Sequence, residues 1–139
     1  KETDIPLCLQ YLDRVTTRSA VVFLISDFYA SGFTKPLLVA NKRHDIIAVK
    51  ITDPRDFELP NVGVVALNDA ETGKRYFLDT SSAAVREKYK KDAKARQDKI
   101  EKTLKSVRVD TINISTKSPY IDALIKFFEK RRMRRRLRG

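Results

Sequence analysis

Residues 20–26, AVVFLIS, decide the architecture of this chain. The run is continuously apolar, too short for a buried helix and rich in β-branched side chains. Both of its faces are apolar, which predicts an interior strand of a parallel sheet covered by helices on both sides. An edge strand is normally blunted by charge or proline, and this one carries neither. A neighbour on each side is therefore expected, either from sheet N-terminal of Lys1 or from a second chain. Self-association through an exposed strand edge is expected if the chain folds alone.

The flanking segments extend the pattern. Residues 3–15 predict a helix with Thr3 as N-cap, Pro6 in the first turn and an apolar stripe of Ile5, Cys8, Leu9 and Leu12. Ser26-Asp27-Phe28 ends the strand. Residues 34–43 predict a short helix capped by Thr34, and residues 45–52 a second strand stopped by Asp53-Pro54. Residues 64–68 and 75–79 flank a turn containing Gly73 and predict a β-hairpin.

A long helix over 82–107 follows, with Thr80, Ser81 and Ser82 as caps and Val85, Tyr89, Ala93, Ile100, Leu104 and Val107 on one stripe. Residues 109–114 predict a third strand. Ser118 caps a last helix with Pro119 at its first position and Ile121, Leu124, Ile125 and Phe128 on one face. Helices alternating with strands imply right-handed crossovers and a parallel sheet, although three strands make a thin one.

The 139 residues suffice for one domain with its own core. One cysteine excludes an internal disulfide, and with a single histidine it excludes a Cys/His zinc cluster. Four glycines leave no Gly-rich phosphate loop. No apolar run is long enough to span a bilayer, and no signal peptide opens the chain. The unpaired Cys8 favours a cytoplasmic location. Lys1 in place of Met predicts a piece of a longer protein.

The formal charge of +11 is local. Residues 130–139, KRRMRRRLRG, hold seven basic side chains and no acidic one. Residues 86–105 hold nine basic and four acidic, so 11 − 7 − 5 leaves −1 for the body. Lys88, Lys91, Lys99, Lys102 and Lys105 fall mostly away from the helical stripe, as on a solvated outer face. Arg131, Arg132, Arg134, Arg135 and Arg136 dominate the terminal run, which suits a helix C-terminus, an anionic surface or nucleic acid.

The segments TDIPLCLQYL, VVFLISDF, HDIIAVKITDP, LNDAETGKRYFLDTS and SPYIDALIKFF together resemble the C-terminal half of a bacterial family, the domain of unknown function numbered fifty-eight. That family is related to the von Willebrand factor type A fold. The resemblance runs from about Thr3 to Phe128 and implies an α/β fold. The architecture would be a partial doubly wound parallel sheet of order 3-2-1-4-5-6, with helices on both faces and this chain supplying the last three strands. Residues 1–129 would be the C-terminal half of the domain, with a hairpin insert at about 63–79, and 130–139 a basic tail.

The type A fold carries a metal-ion-dependent adhesion site built from three loops. Thr3 matches its loop threonine and Asp27 its final aspartate, which implies Mg²⁺ in the intact protein. The Asp-x-Ser-x-Ser loop is missing here; Asp79-Thr80-Ser81-Ser82-Ala83 comes nearest but ends in alanine. No tight metal binding is therefore expected of this chain alone.

The resemblance also implies a non-enzymatic adaptor working with a MoxR-type AAA+ ATPase or its client. Phe28, Tyr29 and Phe33, beside Asp27, are the expected partner-binding side chains. The alternative is nucleic-acid or anionic-surface binding through the Lys-rich helix and Arg tail, with a log–log salt slope of about −6 for seven neutralised phosphates. Cys8 is expected in the core, and Cys8 with His44 lacks the third group a nucleophilic dyad needs. Asp53, Asp56 and Glu58 form an acidic cluster that offers metal ligands but better suits a solvated Asp-Pro turn, and Tyr76 and Phe77 are expected to be core or partner-facing.

Overall fold

The computed structural model describes residues 3–69 and 72–138. The order of elements is the expected one: α1 (Ile5–Val15), β1 (Val21–Ser26), α2 (Thr34–Arg43), β2 (Asp45–Thr52), a 3₁₀ turn (Pro54–Asp56), β3 (Val64–Asn68), β4 (Arg75–Asp79), α3 (Ala83–Ser106), β5 (Asp110–Ser115) and α4 (Tyr120–Arg138). Ala70 and Glu71, within the DAETG stretch quoted above, lie outside the described residues, as do Lys1, Glu2 and Gly139. The chain divides into two units, residues 1–52 with 99–139, and residues 53–98.

The first unit is built on a three-stranded parallel sheet of order β1-β2-β5. Val21 pairs with Asp45 and Ser26 with Lys50, while Ile47 pairs with Asp110 and Thr52 with Ser115. Period-two alternation then sorts the side chains. Ile46 and Ala48 join Leu37, Ala40, Ile5, Leu9, Ile100 and Leu104 in one core cluster, with Val22 and Leu24 packed against it. On the opposite face Ile47, Val49 and Ile112 pack with Ala123, Leu124 and Phe127 of α4.

β1 is the outermost strand, not an interior one. Only one of its faces is covered. Val21, Phe23 and Ile25 point to the α4 side and are 60%, 46% and 66% exposed. The reason is that α4 packs on residues of β2 and β5 and leaves this side of β1 bare. The expected apolar face of α4 is corrected for the same reason. Of Ile121, Leu124, Ile125 and Phe128, only Leu124 joins the core. The other three are exposed, and the Phe128 ring lies 6.4 Å from that of Phe23.

Helix ends follow local chemistry. Asp4, not Thr3, caps α1, its carboxylate accepting from the Leu7 N–H at 2.8 Å. Phe33, not Thr34, is the residue before α2, and no side chain caps that helix. The end of α3 is a Schellman turn without glycine. Arg108 adopts φ 56°, its N–H donates to Lys105 O, and the Val109 N–H donates to Leu104 O. Leu104 and Val109 share a core cluster, the apolar contact this motif favours.

The second unit contains the hairpin. β3 and β4 pair antiparallel from Val64–Asp79 to Asn68–Arg75. Asp69 O accepts from the Gly73 N–H at 2.8 Å, and Gly73 takes φ 67°, which glycine adopts without steric cost. Thr80 is wholly buried and closes the hairpin's base. Its backbone N–H and hydroxyl both donate to Gly63 O, and its Oγ1 accepts from the Val62 N–H. Ser82 Oγ accepts from the Val85 N–H at 3.4 Å at the start of α3.

Candidate functional site

The carboxyl end of β1 carries the sequence-predicted site. Ser26, Asp27 and Phe28 turn the chain sharply there, with Phe28 at φ 61°. A left-handed backbone at a side chain of this size costs about 1–2 kcal/mol, so surrounding contacts must hold it. Two hydrogen bonds do so: Ser26 Oγ accepts from the Phe28 N–H at 3.0 Å, and Asp27 Oδ1 accepts from the Tyr29 N–H at 3.1 Å. The turn sends the Phe28 ring inward and leaves Asp27 exposed.

The expected partner aromatics are corrected by this geometry. Phe28 is 1% exposed and Phe33 6%, their rings packed edge to face 5.6 Å apart. Both belong to the core cluster with Leu37 and Ile46. Tyr29 remains at the surface. Adjacent aromatics at a strand end look alike in sequence, and only the left-handed turn at Phe28 separates the inward one from the outward one.

Thr3 is exposed, immediately before the Asp4 cap. Thr3 and Asp27 offer one hydroxyl and one carboxylate. These are the hard oxygen donors Mg²⁺ prefers, but too few for an octahedral shell, and Asp27 Oδ1 is already engaged. Among the described residues no group of three His, Cys, Asp or Glu side chains is placed to hold a metal. Among the described residues, Thr3 and Asp27 do not by themselves complete a shell for the ion. Calorimetric titration of the purified chain with MgCl₂ should therefore give no saturable heat in the micromolar range.

Other candidates resolve into structural roles. Cys8 is exposed, not in the core, because the buried side of α1 is centred on Ile5 and Leu9. His44 is buried at the end of α2. Its Nδ1 accepts from the Ala20 N–H at 3.3 Å, which makes Nε2 the N–H that faces Asp13 Oδ1 at 3.3 Å. Arg43 reaches the same aspartate and the carbonyls of Asp13 and Thr16. Asp53 caps the 3₁₀ turn through the Arg55 N–H, as the Asp-Pro reading requires. Tyr76 and Phe77 are exposed on the hairpin, with Arg75 over the Phe77 ring. The Asp79 carboxyl is held below its ordinary range by hydrogen bonds from the Ser81 hydroxyl and backbone.

The basic run 130–138 continues α4 without a break. Arg131 donates to both carboxylate oxygens of Asp45 and approaches Asp110, and Arg134 pairs with Asp110 at 3.2 Å. These bonds anchor the helix end to the amino-terminal ends of β2 and β5. Arg132, Arg135 and Arg136 are exposed. The sequence run did not distinguish anchored from outward arginines, because that division needs the positions of Asp45 and Asp110.

One further ionic contact was not foreseen. Lys50 of β2 points into the buried side of the sheet, its side chain 4% exposed, and its Nζ lies 2.8 Å from Glu101 Oε1 of α3. The sequence signal was available: after Asp45 at its start, Lys50 is the one charged residue of DIIAVKIT. Among the described residues no helix is long and apolar enough to cross a membrane.

The model of the family described as "Protein of unknown function DUF58" matches residues 1–99. An uncharacterized protein of Mycobacterium avium is 33% identical over 131 residues, covering 93% of this chain and 76% of that protein. Uncharacterized proteins of Mycobacterium bovis and Mycobacterium tuberculosis are each 29% identical over 132 residues, and there the chain spans 41% of their length. No solved structure matches. With the family model covering well over half of its residues, the chain belongs to the DUF58 family.

Proposed function

We propose that this chain is part of a non-enzymatic protein-interaction module, an adaptor for a MoxR-type AAA+ ATPase or its client. The observation that carries the reading is Asp27. It stands exposed at the carboxyl end of a parallel strand, and its carboxylate is fixed by the Tyr29 N–H. Ligands of doubly wound sheets bind at that end of the strands. In the complete protein Thr3 and Asp27 would be two of the oxygen donors to Mg²⁺, the remaining donors coming from elsewhere in its length. The open apolar edge of β1 supports association with further sheet, including a second copy when the chain is isolated.

The test uses the full-length protein and the ATPase in Mg²⁺ buffer. Asp27→Ala should weaken their association at least about tenfold by biolayer interferometry while leaving the circular dichroism spectrum intact. Equal affinity of variant and parent would overturn the adaptor reading of this end of the sheet.

The nucleic-acid alternative loses part of its charge. Arg131 and Arg134 are committed to Asp45 and Asp110, so fewer than seven cations of the run face outward. The expected salt slope on duplex DNA is correspondingly shallower than about −6.

A further inference from the structure

The second feature of the first unit lies at the amino-terminal ends of β1 and β2, opposite Asp27. A recess of about 520 Å³ opens there between the start of β1 and the last turns of α4. Val21 and Phe128 form its apolar part, and Arg131, closed onto Asp45, forms one wall. Arg132, Arg135 and Arg136 complete the lining. None of these three pairs with a carboxylate among the described residues, whereas Arg131 and Arg134 do.

The spacing makes the arrangement directional. Positions 121, 125, 128, 132, 135 and 136 fall at steps of three and four, save the last, so they share one side of the helix. That side is apolar at Ile121, Ile125 and Phe128 and cationic at Arg132, Arg135 and Arg136. It adjoins the bare side of β1, since Phe23 and Phe128 are in ring contact. The unneutralised guanidinium groups of Arg132 with Arg135 and of Arg132 with Arg136, three and four positions apart, repel by about a few tenths of a kcal/mol per pair. An anionic ligand removes that cost, and a carboxylate matches the guanidinium fork in two-pronged geometry.

We infer that this recess is a docking groove for an acidic peptide segment of a partner protein, one that carries an apolar anchor beside its carboxylates. The anchor fills the space between Val21 and Phe128, and the carboxylates meet Arg132, Arg135 and Arg136. Nucleic acid fits less well, because a phosphate backbone has nothing to place on the apolar half. The inference stands on a different end of the sheet from Asp27 and is independent of the adaptor reading.

The probe is a short fluorescein-labelled peptide rich in Glu and Asp with a central Phe-Leu pair, titrated with the full chain by fluorescence anisotropy. Saturable binding is expected. It should fall at least about tenfold in the triple variant Arg132→Glu/Arg135→Glu/Arg136→Glu and at least about fivefold in Phe128→Ser. Lys102→Glu/Lys105→Glu, which removes exposed charge from α3, should leave it unchanged. Circular dichroism checks that each variant keeps its helix content. An aromatic-free peptide of equal charge binding as tightly would overturn the inference. So would duplex DNA, or vesicles of anionic phospholipid, binding more tightly than the peptide and without regard to Phe128→Ser.

Discussion

Phe28→Ala should lower the unfolding free energy by about 3–5 kcal/mol, the range for removing a buried phenylalanine ring. The ring is 1% exposed and shares a cluster with Phe33, Leu37 and Ile46. The strain of φ 61° is common to phenylalanine and alanine and the two hydrogen bonds of the turn remain, so the loss is that of the ring packing. Tyr29→Ala, one residue on and at the surface, should stay within about 0.5 kcal/mol. Urea melts of the two variants separate a core role from a docking role. A Phe28→Ala protein as stable as the parent would mean that the ring is not packed as described.

The second large effect concerns Lys50 and Glu101, and it is asymmetric. The ammonium is almost wholly buried, while the carboxylate side chain is 42% exposed. Glu101→Gln removes the counter-charge of a buried cation, leaving only an amide oxygen to accept, and should cost about 1–3 kcal/mol, less than a fully buried pair because water reaches the carboxylate. Lys50→Met leaves only a hydrated glutamate behind and should stay within about 1 kcal/mol of the parent.

The same pair sets a pH dependence. The hydrogen bond from Lys50 holds the Glu101 carboxyl below its ordinary value of 4.5, against the opposing effect of burial, with the charges of Lys50 and Lys105 assisting. A group whose pKa is depressed by folding stabilises the native state above its unfolded value and loses that contribution as pH falls through the folded value. The Glu101 contribution should therefore be complete above about pH 4.5 and disappear in more acidic solution. Glu101→Gln should flatten that part of the stability curve. An unchanged acid limb in the variant would count against the pair.

Much of the fold could be read from local pattern. DIIAVKIT is apolar on both faces and is buried on both, because it is the central strand. AVVFLIS has the same pattern, yet it is outermost, since periodicity reports what a strand requires and not what this chain supplies. The stripe of α3 was legible at Ala93, Ile100, Leu104 and Val107, but buried Gln97 sits within it and breaks a purely apolar template. On α4 the exposed apolar residues Ile121, Ile125 and Phe128 are as many as those that reach the core, Ala123, Leu124 and Phe127, so composition alone chose the wrong side.

The site was legible in part. Asp27 at a strand end follows from the break in apolar character, whereas the inward turn of Phe28 depends on a positive φ that nothing in Ser-Asp-Phe demands. The anchoring of Arg131 and Arg134 rests on aspartates 86 and 24 positions away, beyond the reach of any sequence window.

The discontinuity of the first unit bears on the order in which the protein takes shape during synthesis. Residues 53–98 are contiguous, so their hairpin can close while the ribosome is still translating α3. β2 can pair with β1 at once, but its other edge must wait: that partner begins 63 positions later, at Asp110 opposite Ile47. Closing so long a loop delays that pairing entropically. Until then one edge of β2 stays accessible, and nascent chains are most open to chaperone capture or mispairing in that interval.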